Sequence, residues 1–88
     1  MQIECAFFGP FRETVGRKTV QWETDATTAG ELLAELEAEY GLSVVDDGAV
    51  RDGLTVTHNG KYLAHRDGLD TELVDGDVIR FTNAVYGG

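Results

Sequence analysis

Hydrophobic and polar positions change period along the chain, and each change marks an element. Residues 2–8 alternate, with Ile3, Cys5 and Phe7 on one side and Gln2, Glu4 and Ala6 on the other, the pattern of a strand with one buried face. Gly9-Pro10 closes it, because proline has no amide hydrogen to give to a ladder. After a connection ending at Gly16, Thr19-Val20-Gln21-Trp22-Glu23 alternates again, which predicts an antiparallel hairpin. The period then lengthens: Leu32, Leu33, Leu36 and Tyr40 fall on one stripe of a helix. Thr28 followed by Glu31 is a capping box and Gly41 offers a left-handed stop, so the helix is expected from Ala29 to Tyr40. Glu31, Glu35 and Glu39 stack at i, i+4 on its expected outer face, each like-charge pair costing roughly 0.2–0.5 kcal/mol.

Residues 41–53 are rich in Gly and Asp, with Val44, Val45 and Val50 as anchors, and read as a long connection with at most one short turn. Leu54-Thr55-Val56-Thr57-His58 alternates once more. Asn59-Gly60 behind it is the preferred pair for a type I′ turn, since both central positions need positive φ, and Tyr62 and Leu63 are expected to return on a short strand. Asp75-Gly76-Asp77 makes a turn, and Val78-Ile79-Arg80-Phe81-Thr82 alternates so that Ile79 and Phe81 point one way. The order is strand, strand, helix, strand, short strand, strand, without internal repeat or low-complexity segment. One apolar helix stripe against one sheet face gives a two-layer α+β domain.

Length adds that 88 residues make a single domain: a body over 1–82 and a tail over 83–88. Sixteen Asp and Glu against seven Lys and Arg give a net charge of -9, a surface that repels phosphate backbones and anionic lipid, so neither nucleic acid nor a membrane is an expected partner. Only two of the cations are lysines, Lys18 and Lys61, while Asp, Thr and Gly abound, a mixture similar to that of halophilic proteins. The start has no basic region followed by an apolar stretch, and no run approaches the roughly 20 apolar residues of a membrane span. A soluble, cytoplasmic protein is the expectation.

Few side chains suggest chemistry of their own. Cys5 shares a strand face with Ile3 and Phe7 and should be buried as a small hydrophobe, away from the exposed, electropositive setting of a reactive thiol. One cysteine also excludes an internal disulfide and a four-thiolate iron–sulfur site. His58 and His65, with Asp67 nearby, match no zinc spacing and read as surface or packing residues. No phosphate-binding glycine loop or nucleophile elbow is present. The end of the chain, NAVYGG, remains. A six-residue tail spans about 20 Å at full extension, and glycines, lacking Cβ, let a backbone thread a narrow channel. On the dipeptide alone a frayed end and a working terminus stay equally open.

The rest of the chain bears on that choice. AFFGPFRETVG, with Phe8, Phe11, Arg12, Glu13 and Gly16, then TAGELLAELEAEY, LTVTHNGK and finally VDGDVIRFTNAVYGG resemble, in order and spacing, the ubiquitin-like sulfur carriers. That group comprises the molybdopterin synthase small subunit, the thiamine-pathway carrier and the small archaeal modifier proteins. The resemblance implies a β-grasp (ubiquitin-like) fold, a mixed sheet packed against one main helix. Thr82-Asn83-Ala84 stands where the molybdopterin subunit typically has Phe-Pro-Pro, and Tyr86 replaces a usually small residue.

The resemblance further implies a carrier, not an enzyme, activated by a separate E1-like enzyme. The Gly88 carboxylate would attack the α-phosphate of ATP, giving an acyl-adenylate and pyrophosphate. A sulfur donor would displace AMP to leave a thiocarboxylate, or a lysine amine would capture the acyl group as an isopeptide. Val85, Tyr86 and Gly87 would thread the partner's channel, and Lys18 and Lys61 are the candidate acceptor lysines of this chain. The chain binds no cofactor itself, and ATP is used by the activating enzyme. Downstream partners are the molybdopterin synthase large subunit or lysines of target proteins. The competing expectation is a β-grasp interaction module with no chemistry at its tail.

Overall fold

The computed structural model describes residues 1–83. Strands β1 (Gln2–Phe7), β2 (Thr19–Glu23), β5 (Leu54–His58), β6 (Lys61–Tyr62) and β7 (Val78–Asn83) form one sheet in the order β2-β1-β7-β5-β6. β1 and β7 run parallel at its centre, Cys5 beside Ile79 and Phe7 beside Phe81, and the other neighbours are antiparallel. Helix α2 (Ala29–Tyr40) covers one face. The expected mixed sheet on one main helix is therefore what forms, and the predicted register puts Ile3, Cys5, Phe7, Ile79 and Phe81 in the core, each fully buried.

Helix α2 has the predicted bounds and caps. The Glu31 amide donates to Thr28 Oγ1 at 3.3 Å while Glu31 Oε1 accepts from the Thr27 and Thr28 amides. Those donors, the Thr27 amide foremost, hold the Glu31 carboxyl below the usual carboxylate range. Gly41 ends the helix at φ 70. Leu32, Leu33 and Leu36 are buried on the sheet, each stabilising the fold by about 1.5–3 kcal/mol. Gly30 lets the helix lie against Leu69, whose Cβ and carbonyl oxygen would both be 3.1 Å from a Cβ at that position.

Four expectations are corrected. The connection after Gly9 is a short helix, α1 (Pro10–Val15). Pro10 suits its first position, where no amide is needed, and the Gly16 amide closes it on the Arg12 carbonyl at 2.7 Å. Burial of Phe11 near Phe81, with ring centroids 6.1 Å apart, ties it to the core. Residues 41–53 are not an extended loop: β3 (Val45–Asp46) and β4 (Ala49–Val50) pair antiparallel around Asp47-Gly48. That pair has φ 52 and 79, the geometry that Asn59-Gly60 shows at 51 and 85. Leu63 does not continue β6; it turns into the core as the start of a 3-10 turn (Leu63–His65), followed by a second over Gly68–Asp70.

The outer glutamate stack is the fourth correction. Glu35 is half-buried beneath the β2 edge, accepting from Trp22 Nε1 at 2.9 Å and Thr24 Oγ1 at 2.7 Å. Glu31 is engaged in its cap, so the three carboxylates do not form one exposed row. Glu37, one turn from the helix end, accepts from the Val44 and Val45 amides at 2.7 and 3.0 Å and holds the start of the β3–β4 hairpin.

Candidate functional site

The chain reaches its C-terminal segment from the middle of the sheet. β7 is bonded to a strand on each side and runs to Asn83, one residue past the expected Thr82, where it pairs with Leu54. Phe81 stacks on Phe7 with centroids 5.0 Å apart and is fully buried. The residues expected to carry the chemistry and threading, Val85, Tyr86, Gly87 and Gly88, lie outside the described residues. The structure shows the base from which they depart.

That base is set at the other end of β7 by a polar network the sequence reading did not find. Asp77, buried in the Asp75-Gly76-Asp77 turn, accepts from Asn59 Nδ2 at 3.0 Å, from the Val74 amide at 2.9 Å and from His58 Nε2 at 2.7 Å. Burial alone would push this carboxyl up, but the Asn59 amide, the Val74 N–H and His58 together outweigh it and hold the group below the usual range. An ionised carboxylate only accepts, so Nε2 of His58 is the donor in this contact, and the ring's Nδ1 is buried without a hydrogen-bond partner among the described residues. Asn59 closes the clamp: its Oδ1 accepts from the Val78 amide at 2.8 Å and its own amide donates to the Val78 carbonyl at 2.8 Å. The signal was present in part, since Asn59 and Asp77 were read as turn residues, but nothing local joins positions eighteen apart in the chain.

The other candidates separate. His58 is a packing residue on Asp77, while His65 is exposed against Tyr62, and among the described residues no three His, Cys, Asp or Glu side chains gather to hold a metal. Cys5 is fully buried, and burial, then the charge of Glu4, pushes its thiol up to about 12, the setting of an inert core thiol. Lys18 and Lys61 are both exposed, one beside β2 and one on β6, at opposite edges of the sheet. No helix among the described residues is long and apolar enough to cross a membrane.

A mixed sheet holding one long helix, with two parallel strands at its centre and the chain leaving from the inner one, is the arrangement of a ubiquitin-like β-grasp protein. Comparison with known proteins narrows the class: the chain belongs to the ThiS family, whose model matches residues 5–88. It is 42% identical over 92 aligned positions to Small archaeal modifier protein 3 of Haloferax volcanii, the match spanning the whole of both chains. Its structure is similar to the solution structure of the Haloferax volcanii HVO 2177 protein, with TM-score 0.85, 40% identity, and coverage of all of this chain and 87% of that one. It is also similar to the crystal structure of SAMP1 from Haloferax volcanii, with TM-score 0.79, 28% identity and full coverage of both. The family is one of ubiquitin-like sulfur carriers and modifiers.

Proposed function

We propose that the chain is a carrier whose working group is the Gly88 carboxylate, activated by an E1-like enzyme that uses ATP. The observation that carries the reading is the extent of the family match: it runs through Gly88, beyond the anchored strand β7. Carboxylate attack on the α-phosphate of ATP releases pyrophosphate and leaves an acyl-adenylate. A sulfur donor then expels AMP, giving a thiocarboxylate at Gly88. Charge stabilisation for the first step falls to the activating enzyme, because no phosphate-binding glycine loop is present in this sequence. The chain is thus substrate and carrier rather than catalyst, and it holds no cofactor of its own.

The modifier named among its relatives supports a second fate for the same adenylate, capture by a lysine amine of a target protein as an isopeptide. Transfer of sulfur through a molybdopterin synthase large subunit is the other downstream route. The test is intact mass after incubation with a cognate activating enzyme, ATP and sulfide. The expected product is a species heavier by about 16 Da, the difference of sulfur for oxygen, absent when Gly87 and Gly88 are deleted. An unchanged mass, or thiocarboxylate on the deletion variant, overturns the proposal.

A further inference from the structure

In a chain with sixteen carboxylates and seven lysines and arginines, none of those seven side chains is within ion-pair distance of a carboxylate among the described residues. Three basic side chains gather instead at one edge of the sheet. Lys61 sits opposite His58 in the β5–β6 ladder, and Arg66 Nη2 donates to the His58 carbonyl at 3.4 Å. The His65 ring meets Tyr62 edge-on at 5.4 Å. Arg80 lies two strands inward of Tyr62, joined to it across the ladder through Thr57. Tyr62 is 51% exposed, one of two large hydrophobic residues so exposed among the described residues.

Beside this cluster β5 has an open edge. β6 pairs only with Thr57 and His58, so Leu54–Val56 carry no strand on the side away from β7. A groove of about 240 Å³ runs there, between β5 and the 3-10 turn at Leu63–His65; Val50, Leu54, Val56 and Leu63 give it a largely apolar wall, with Thr55 and His65 as polar lining. A largely apolar trough beside a strand that has no second neighbour over Leu54–Val56 suits an extended peptide, whose alternate side chains would fill it.

We propose that this groove docks an extended segment of a partner protein in which two or three apolar residues are followed by carboxylates. The apolar side chains lie along the β5 edge, and the carboxylates meet Lys61, His65 and Arg66. Charge selects the occupant: Lys61 and Arg66 form no ion pair with a carboxylate among the described residues, on a chain of net charge -9. At physiological ionic strength the Debye length is about 8 Å, so the distant acidic surface is screened while contacts at the rim are not. Nucleic acid fits less well, because neither Lys61 nor Arg66 lines the trough, whose walls are mostly aliphatic. The proposal does not depend on any reaction at Gly88.

The experiment titrates the isotopically labelled full chain with two synthetic hexapeptides, Leu-Val-Val followed by three glutamates and the same apolar half followed by three lysines. Saturable amide shifts confined to Val50, Leu54–Val56 and Tyr62–Arg66 are expected with the acidic peptide only. Lys61→Glu should weaken binding about tenfold, the loss of one exposed ion pair plus the repulsion that replaces it. Lys18→Glu makes the same change in net charge at the opposite edge and should leave binding within about twofold. Equal responses to the two peptides, equal effects of the two variants, shifts centred elsewhere, or displacement of the acidic peptide by a single-stranded oligonucleotide would each overturn the proposal.

Discussion

Replacing Asp77 by alanine removes the acceptor that three groups share. The Val74 amide, Asn59 Nδ2 and His58 Nε2 donate to this carboxylate at 2.7–3.0 Å. Asn59 is exposed and recovers water, whereas His58 is 9% exposed and cannot. One to two donors are therefore left unpaired in the interior, at about 1–3 kcal/mol each, so the variant should lose about 2–4 kcal/mol. For a domain of this size that lowers Tm by about 10–25 °C. Urea titration and calorimetry at neutral pH would measure it.

The pH dependence sharpens the test. The folded carboxyl titrates below its ordinary value of 3.8, so its contribution is fully present above that value and is lost as pH falls through the folded pKa. The gap between the wild type and Asp77→Ala should be constant just above pH 4 and shrink below it. Asp77→Asn keeps an acceptor oxygen but turns an NH2 toward one donor, so it should recover part of the loss at neutral pH without the acid sensitivity. Wild type and Asp77→Ala melting within about 1 °C of each other, or a gap unchanged into strong acid, would refute the assignment of Asp77 as the anchor of β7.

Three further outcomes follow from other contacts. Glu35→Ala should strip the acceptor from Trp22 and Thr24, costing about 1–2 kcal/mol. Because Trp22 is the sole tryptophan, its emission should shift to the red, and an unchanged spectrum would mean that the contact is absent in solution. Thr28→Ala removes half of the capping box and should cost about 1 kcal/mol, while Thr28→Ser should cost much less; equal losses would deny the cap. Added salt should raise Tm, since at about 1 M the Debye length falls to about 3 Å and the repulsion of sixteen carboxylates is screened. A flat or falling curve would count against the halophilic reading.

Periodicity was enough for the layers. Alternation over β1, β2, β5 and β7 and the stripe of Leu32, Leu33 and Leu36 were visible because each element has one face in water and one in the core. The turn at Asn59-Gly60 was visible because only a few residues accept positive φ. What escaped was short or non-local. β3 and β4 contribute two residues each, too few to show a period, although Asp47-Gly48 between valines carried the same signal as Asn59-Gly60. Glu35 lies at a helix position that reads as exposed until Trp22 and Thr24 are brought over it by tertiary packing. The Asp77 network escaped for a similar reason, since its partners meet only once β5 and β7 are paired.

These contacts bear on how a chain end can be presented. β7 is held on both flanks by ladders, at its start by Asp77 and Asn59, and near its end by Phe81 against Phe7. An edge strand fixed on one side only could shift register, and a shift of one residue would turn Phe81 out of the core. Burial of a phenylalanine makes that slip cost about 3 kcal/mol or more. Asn83 therefore leaves the sheet from a set position relative to every surface a partner would recognise. On the proposed chemistry, this is what allows a carrier without catalytic groups to deliver its carboxylate: the partner reads the body, and the register of β7 determines where the chain beyond Asn83 begins.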